Sequence, residues 1–433
     1  MIEKLKLQPL SRQALLALLL AMFAISVGYG IVLPILPFVV EKLASPTDAA
    51  TVSWHTGLIT GTYILAIFLF APLWGRLSDR WGRRPVLLVG LIGFAASLAL
   101  FAVVENLPLL YLGRFLAGLF GAAIAPAAYA LVGDHARKKE WRAHRFALIT
   151  IAGTIGFFAG PLIGALVLAS FRGPFADLAE RAYSAPFLAA SGLALIAALT
   201  IWGLVPRAAQ SQRVQYAAAE TPSHRTVMLR LWAIAFLAAL AVGAFEVGLS
   251  LRGKQVLGMD AYRIGMMFAE CSLVMFVVQA LVFSPLIKPE WTRWFITPSL
   301  VVLALSLFVV PFADTNVTMI VAVALVAASA GILAPIVTYW VSLGAGDTQG
   351  ADLGLTIAAV SLGQALGSAA GGLLFDVSIL PGATFTATAV VVLTGLGASL
   401  GLPQRLQHAQ ASRTDIAFGE RARASRLHPT LNR

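Results

Sequence analysis

Three ionisable side chains lie well inside long apolar stretches of this sequence: Arg114, Glu246 and Glu270. Charged groups are costly in membrane-spanning helices and are functional candidates there by default. A carboxylate can take up and release a proton, and an arginine or a cationic ligand nearby favours its ionised form. At about 1.5 Å per helical residue the three lie at similar depth. They predict a site where a proton and another molecule exchange; the alternative for both glutamates is a structural role beside a water-filled vestibule.

Few other side chains offer chemistry within the apolar stretches. The neutral polar residues Tyr29, Gln279 and Gln364 are possible substrate contacts, or they serve helix packing. The 6 histidines are scattered over loops and ends, so no metal site and no cofactor are expected. A single cysteine, Cys271, excludes a disulfide framework. The segment Gly397–Gly401 fits a nucleophile-elbow pattern, but it lies in an apolar helix rather than at a strand-to-helix turn.

Composition identifies the environment of these residues. The chain has 433 residues, of which 59% are hydrophobic and 12% are charged. Soluble domains carry roughly 25% charged residues, so most of the surface does not face water. The net charge of +11 does not indicate a nucleic-acid partner, because the basic residues fall in short connections between apolar stretches.

The length and number of the apolar stretches predict an all-α membrane protein. A helix of about 20 apolar residues crosses a bilayer. The sequence contains twelve such stretches, at residues 12–39, 54–75, 84–104, 107–132, 146–170, 183–205, 229–252, 262–286, 292–313, 316–340, 351–375 and 381–402.

Lysine and arginine set the expected orientation. Most of them lie before the first span, in alternate connections starting with that between spans 2 and 3, and in the tail. The positive-inside rule places that side in the cytoplasm. Both termini are therefore expected in the cytoplasm, in a multi-pass protein of the inner (plasma) membrane that acts as a monomer.

A long polar connection divides the spans six and six. We expect six-helix bundles at 1–205 and 229–402, a cytoplasmic linker at 206–228 and a basic, disordered tail at 403–433. Two matching glycine triplets suggest duplication, because they lie at the same offset in both halves. Glycines four apart form a smooth stripe for close helix packing. The triplets are Gly156, Gly160 and Gly164 in span 5, and Gly363, Gly367 and Gly371 in span 11.

The connection between spans 2 and 3 carries the most specific motif. It reads Gly-Arg-Leu-Ser-Asp-Arg-Trp-Gly-Arg-Arg-Pro and resembles the signature loop of the major facilitator superfamily. The resemblance implies a twelve-helix fold of two pseudo-symmetric bundles, with this loop as a gate that braces against span 11. Asp347 and Asp352 are its expected partners. The gate residues are Gly75, Asp79, Arg80, Gly82, Arg83 and Arg84.

Three further segments are similar to those of twelve-helix drug:proton antiporters, tetracycline exporters among them. Span 1 ends with Pro34 and Pro37 in a P-x-x-P pattern, and Arg114 matches the family's membrane-embedded arginine. Span 5 resembles the exporter motif. Its residues are Gly156, Gly160, Pro161 and Gly164. Tetracycline exporters also carry an acid in the first helix, where this chain has the segment Ile25–Gly28 and none, which argues against tetracycline as the substrate.

These features predict a secondary active transporter, working by alternating access, in which proton influx drives export of a small amphipathic organic molecule. The molecule would be a drug, as in multidrug resistance, or a secreted metabolite such as a siderophore. The alternatives are an importer or facilitator of a small metabolite and, more remotely, an intramembrane enzyme or sensor.

Overall fold

The computed structural model is helical throughout the part of the chain that it describes. That part comprises residues 10–44, 48–135, 139–170, 183–206, 222–282, 289–313, 315–344, 349–376 and 382–406, and it contains no strand. Most of the expected linker and tail falls outside these ranges, as does Asp347.

The helices follow one another along the chain with short connections. Those of the first half are α1 (Arg12–Leu43), α2 (Ala49–Trp81), α3 (Arg83–Ala102), α4 (Leu107–Gly121), α5 (Ile124–Asp134), α6 (Lys139–Ser170) and α7 (Ala185–Leu204). Those of the second half are α8 (Pro222–Leu251), α9 (Ala261–Val282), α10 (Ile296–Val309), α11 (Asn316–Gly344), α12 (Gln349–Leu373) and α13 (Ala383–Ser399). A π-helical turn, Arg252–Val256, extends α8.

The twelve expected spans all correspond to helices. Within the described ranges, 11 helical segments are long and apolar enough to cross a membrane, with α4 and α5 together forming one of them. The remaining expected span, 381–402, is the shorter apolar helix α13. The all-α membrane fold predicted from composition is confirmed.

The two glycine triplets make equivalent contacts in the two halves. In the first half, Gly160 of α6 packs so closely on α1 that a Cβ would lie 2.7 Å from the Val27 carbonyl oxygen. In the second half, the corresponding Gly367 of α12 packs on α8, and its Cβ would meet the Leu240 carbonyl oxygen and lie 2.8 Å from the carbonyl carbon. Each half thus contains a tightly packed helix pair that only glycine permits.

Local sequence explains the turns and helix starts. Gly82 alone separates α2 from α3 and has a φ of +94°, which side chains other than glycine rarely adopt. At the other end of α2, Asp48 caps the first turn by accepting from the Thr51 amide at 3.3 Å. The Thr51 hydroxyl, followed by that amide, holds the pKa of Asp48 below its usual value.

The inner end of the molecule is the end of the bundle that carries the start of α1, and the outer end is the opposite one. The described part of the first half contains two buried apolar clusters, and that of the second half contains one. One cluster of the first half reaches the second half at Ala261 and Ala365, and the cluster of the second half reaches Leu33. These contacts lie toward the outer end.

Candidate substrate and proton site

A buried carboxylate links the two halves of the molecule. Glu246 of α8 is 4% exposed and accepts a 2.6 Å hydrogen bond from the Tyr29 hydroxyl of α1. Gln364 of α12 donates to the same Glu246 oxygen at 3.2 Å and to the Tyr29 oxygen at 3.2 Å. Three of the residues predicted from sequence therefore form one cluster.

Arg114 lies beside this cluster with its hydrogen-bonding capacity unused. Its side chain is 1% exposed, and its guanidinium lies 4.4 Å from the ring centroid of Tyr63 and 5.6 Å from that of Tyr29. None of its three guanidinium nitrogens has a hydrogen-bond partner among the described residues. The faces of the two tyrosine rings attract the cation, and its charge also acts on Glu246. The guanidinium is therefore available to an anionic group.

The structure does not bring Glu270 into this cluster. Glu270 lies on α9, is partly exposed, and makes no hydrogen bond or ion pair within the described part of the chain. Gln279 lies near the inner end of the same helix, half-buried and likewise without such a bond there. Of the two intramembrane acids, Glu246 alone is held across the interface between the halves.

A small apolar cavity adjoins the Glu246 carboxyl group. Its volume is about 40 Å³, and of the described residues that line it only Glu246 and Cys271 are ionisable. The remaining lining includes Phe157, Phe268 and Met275. This volume holds a few water molecules at most, whereas pockets for organic ligands measure roughly 300–1,000 Å³. An organic substrate would therefore need the halves to separate here.

Two further contacts continue the link between α1 and α8 toward the outer end. Ser250 donates to the Leu33 carbonyl oxygen at 2.9 Å, and Lys254 donates to the Pro37 carbonyl oxygen at 3.1 Å. With the bond between Tyr29 and Glu246, they form three rungs spaced four residues apart on both helices. We call these three contacts the seam.

The proline motif of span 1 accounts for the middle rung. In an α-helix the Leu33 carbonyl would accept from the amide of residue 37. Pro37 has no amide hydrogen, so that carbonyl lacks its donor within the helix. Ser250 of the opposite half supplies one instead. The proline motif thus leaves a carbonyl oxygen of α1 free to accept a hydrogen bond from the other half.

The π-helical turn closes the outer end around the seam. Besides its bond to Pro37, Lys254 forms a 2.7 Å ion pair with Glu41 of α1. Gln255 bonds to the Ser53 hydroxyl and to the Ala49 carbonyl of α2, each at 3.1 Å. No residue of this turn was among those singled out by sequence. The signal that the sequence offered for this turn was the pair of polar residues Lys254 and Gln255, which follow the apolar span 229–252.

Close backbone packing completes this closure. Gly57 of α2 meets Gly372 of α12, where a Cβ on Gly57 would lie 2.7 Å from the Gly372 amide nitrogen. One turn further along α2, a Cβ on Gly61 would lie 2.9 Å from the Ala365 carbonyl oxygen. At the inner end of α2, by contrast, Pro126 of the same half is the nearest neighbour of a Cβ on Gly75. Toward the start of α12, a Cβ on Gly354 would meet nothing within 4 Å.

The exporter-type motif of span 5 packs behind Tyr29. A Cβ on Gly30 would lie 2.8 Å from the Pro161 ring, and Gly156 packs against the backbone of Phe23. Gly164 is less crowded: its nearest neighbour would be Ile31 at 3.6 Å. The motif thus fixes the position of the helix segment that carries Tyr29.

The signature loop is bonded within its own half. Arg83 pairs with Asp79 at 2.5 Å and with Asp134 at the end of α5 at 2.9 Å. Arg84 donates to the Trp202 carbonyl at the end of α7. Of the expected partners in the second half, Asp347 lies outside the described residues. Asp352 lies in the first turn of α12, and its side chain is likewise outside them.

Comparison with known sequences gives a consistent result. A family model described as the Major Facilitator Superfamily matches residues 18–368. Multidrug resistance protein 2 of Bacillus subtilis (strain 168) is 26% identical over 405 residues, which cover 91% of this chain and 96% of that protein. The class C tetracycline resistance protein of Escherichia coli is 39% identical over 168 residues, which cover 38% of this chain and 41% of that protein.

Two solved structures share the fold. The human organic anion transporter MFSD10 has a TM-score of 0.66 at 20% identity, covering 90% of this chain and 100% of its own. A bacterial homologue of the human lysosomal transporter Spinster, in an inward-facing and unoccupied conformation, has a TM-score of 0.69 at 14% identity. The match covers 92% of this chain and 97% of that chain.

Proposed function

Because this chain belongs to the major facilitator superfamily, we propose that it is a proton-coupled exporter of a small amphipathic organic molecule that works by alternating access. The family makes the chain a multi-pass membrane transporter and not an enzyme. Export, the proton and the amphipathic substrate are our proposals. We further propose that the inner end faces the cytoplasm and that the protein acts as a monomer.

The position of Glu246 is the observation that carries the proposal. Its carboxyl group joins the halves through Tyr29 and Gln364 while the outer end is closed. We propose that Glu246 gives up its proton toward the inner end when the halves separate on that side and substrate enters. The ionised carboxylate then accepts from both donors. After the halves rock to open outward, a proton from outside binds Glu246 and substrate leaves.

Arg114 completes this cycle as a fixed positive charge. Its guanidinium lacks a hydrogen-bond partner among the described residues and lies one tyrosine ring away from Glu246. A buried cation without a partner stabilises a negative charge nearby. We propose that Arg114 stabilises the ionised Glu246 when Tyr29 moves away, or binds an anionic substituent of the substrate.

The lining of the cavity supports an amphipathic substrate. The flexible side chain of Met275 adapts to varied apolar shapes, the phenylalanine rings supply apolar surface, and Glu246 offers one acceptor for a cationic or hydrogen-bonding group. The relatives named as multidrug resistance proteins agree with a broad substrate range of this kind.

The test uses everted membrane vesicles containing the protein, acidified inside, with a fluorescent pH probe. A panel of dyes, antibiotics and siderophores is added to the outside. Our proposal predicts substrate-dependent loss of the internal acid, absent in vesicles carrying Glu246→Gln. A substrate that enters the vesicles at the same rate with and without the pH gradient would contradict proton coupling. Loss of a preloaded substrate from the vesicles under this gradient would contradict export.

A further inference from the structure

A second cavity lies at the inner end of the first half, away from the seam. Its volume is about 370 Å³, within the roughly 300–1,000 Å³ typical of ligand pockets. It is formed where α2, α5 and α7 end and α3 begins. Its lining residues belong to the first half or, in the case of Pro206, directly follow its last helix. The cavity is therefore separate from the proposed transport path.

The charge of this cavity is positive. Among the residues that the structure describes, Arg83 and Arg84 are the only ionisable ones that line it. Asp79 and Asp134 pair with Arg83, but Arg84 has no acidic partner within the described residues. Arg84 donates through Nη2 to the Trp202 carbonyl, while its buried Nε has no hydrogen-bond partner there. Because no described carboxylate pairs with Arg84, the cavity offers an anionic group a positive charge that is not neutralised.

The start of α3 adds further donors at the same place. Gly82 precedes this helix and makes no side-chain capping bond to it. The first amides of a helix have no partners within the helix; here Pro85 has no amide hydrogen, so Arg83 and Arg84 supply the donors of the first three positions. Together with the helix dipole these amides favour a phosphate group. Arg84 and this helix start lie on the same cavity and attract the same kind of ligand.

The surroundings of the cavity indicate a lipid rather than a free ion. Trp81 and Trp202 line it with side chains 60% and 61% exposed. Tryptophans at this level are typical of the membrane interface. Beyond the cavity, α3 and α7 present exposed apolar side chains that include Ile92 and Leu199. A ligand that joins a phosphate to apolar chains fits both surfaces.

We propose that this cavity binds the head group of an anionic phospholipid from the leaflet at the inner end. Its phosphate would lie against Arg84 and the start of α3, and its acyl chains would follow Ile92 and Leu199. Gly82 and Arg83 of the signature loop line the same cavity. Bound lipid would therefore stabilise the loop in the conformation described here.

The test compares lipid retention by the whole protein, purified in detergent. Phosphatidylglycerol, phosphatidylcholine or inorganic phosphate is added, and binding is followed by native mass spectrometry and by melting temperature. We expect phosphatidylglycerol to be retained, with Arg84→Gln weakening retention about fivefold, the effect of one basic residue near a membrane surface. Arg84→Lys keeps the positive charge and should preserve part of the retention of phosphatidylglycerol.

Arg230→Gln is the matched control, because Arg230 also donates to a carbonyl at a helix end, that of Leu400, in the other half. Its retention of phosphatidylglycerol should equal that of the unchanged chain. Equal losses in both variants, or no loss in Arg84→Gln, would overturn the proposal. Stabilisation by inorganic phosphate alone would show a free-anion site and would also overturn it. Melting in phosphatidylcholine verifies that each variant is folded.

Discussion

The Tyr29 hydroxyl donates a 2.6 Å hydrogen bond to the Glu246 carboxylate, and the two residues belong to different halves of the molecule. The group proposed to carry the proton is therefore also part of the contact that closes the outer end. A change in its charge acts directly on the contact between the halves, without an intervening relay.

Glu246→Gln should abolish proton-driven transport while leaving exchange of substrate for substrate intact. Glutamine keeps an oxygen that accepts from Tyr29, but it carries no proton to release. Glu270→Gln is the control, since Glu270 makes no bond to the cluster within the described residues and should retain driven transport. Both activities are measured in the same vesicles with and without a pH gradient. Loss of driven transport in Glu270→Gln alone would contradict this assignment.

Tyr29→Phe should shift the protein toward opening at the outer end. The substitution keeps the ring that stacks on Tyr63 at 5.2 Å but removes the donor to Glu246. A hydrogen bond to a charged group contributes about 1.5–3 kcal/mol. Its loss should raise the equilibrium constant for opening of the outer end by at least about tenfold. Tyr63→Phe is the matched control and should leave the equilibrium unchanged.

This shift can be measured by the reaction rate of an introduced thiol. Cys271 is the only cysteine in the chain, so Cys271→Ser provides a background without thiols. Ser53→Cys then places one thiol where Ser53, 0% exposed, meets Gln255 at the closed outer end. A membrane-impermeant reagent added from outside should label it faster in Tyr29→Phe. An unchanged labelling rate would mean that this bond does not hold the outer end closed.

Pro37→Ala should also open the outer end, by about fivefold in the same labelling assay. Alanine restores the amide hydrogen, so the Leu33 carbonyl gains a donor within α1 and no longer needs Ser250. A neutral hydrogen bond contributes about 1 kcal/mol. Ser250→Ala should have a similar effect, and the double variant should not exceed either single one. Fully additive effects would show that the two residues act separately.

The ion pair between Lys254 and Glu41 should depend on charge and not on size. Lys254→Gln should speed labelling at the outer end several-fold, because it weakens the pair and the bond to the Pro37 carbonyl together. Reversing the charges with Lys254→Glu and Glu41→Lys should restore part of the closure, while each reversal alone should open the end further. If the double variant is labelled as fast as the faster of the two single variants, the ion pair does not keep the outer end closed.

Gly160→Ala should lower the melting temperature, because its Cβ would lie 2.7 Å from the Val27 carbonyl oxygen. Overpacking of this kind costs about 1–3 kcal/mol. Gly192→Ala in α7 is the control: its Cβ would meet nothing within 4 Å, and alanine is the better helix former. It should be neutral or slightly stabilising. Thermal unfolding in detergent distinguishes the two, and equal effects would contradict the packing argument.

Much of the fold could be predicted from sequence because each span is apolar over its own length. Arg114 and Glu246 stood out for the related reason that charge is rare in such segments. Their partners could not be predicted in this way. Tyr29 and Glu246 are far apart in sequence, and they meet only because α1 and α8 pack side by side at the outer end. The π-helical turn with Lys254 lies beyond the apolar span, where periodicity gives no signal.

The three rungs of the seam lie at successive depths. Because each rung lies four residues along the helix from the previous one, successive rungs are about 6 Å apart. The rung at Lys254 is nearest the solution at the outer end, and the rung at Glu246 is the farthest from that solution. Dissolved ions can screen the first but hardly the last. The halves can therefore separate one rung at a time, with a series of small energy barriers in place of a single large one. Salt in the solution at the outer end should speed only the first step, the loss of the Lys254 rung.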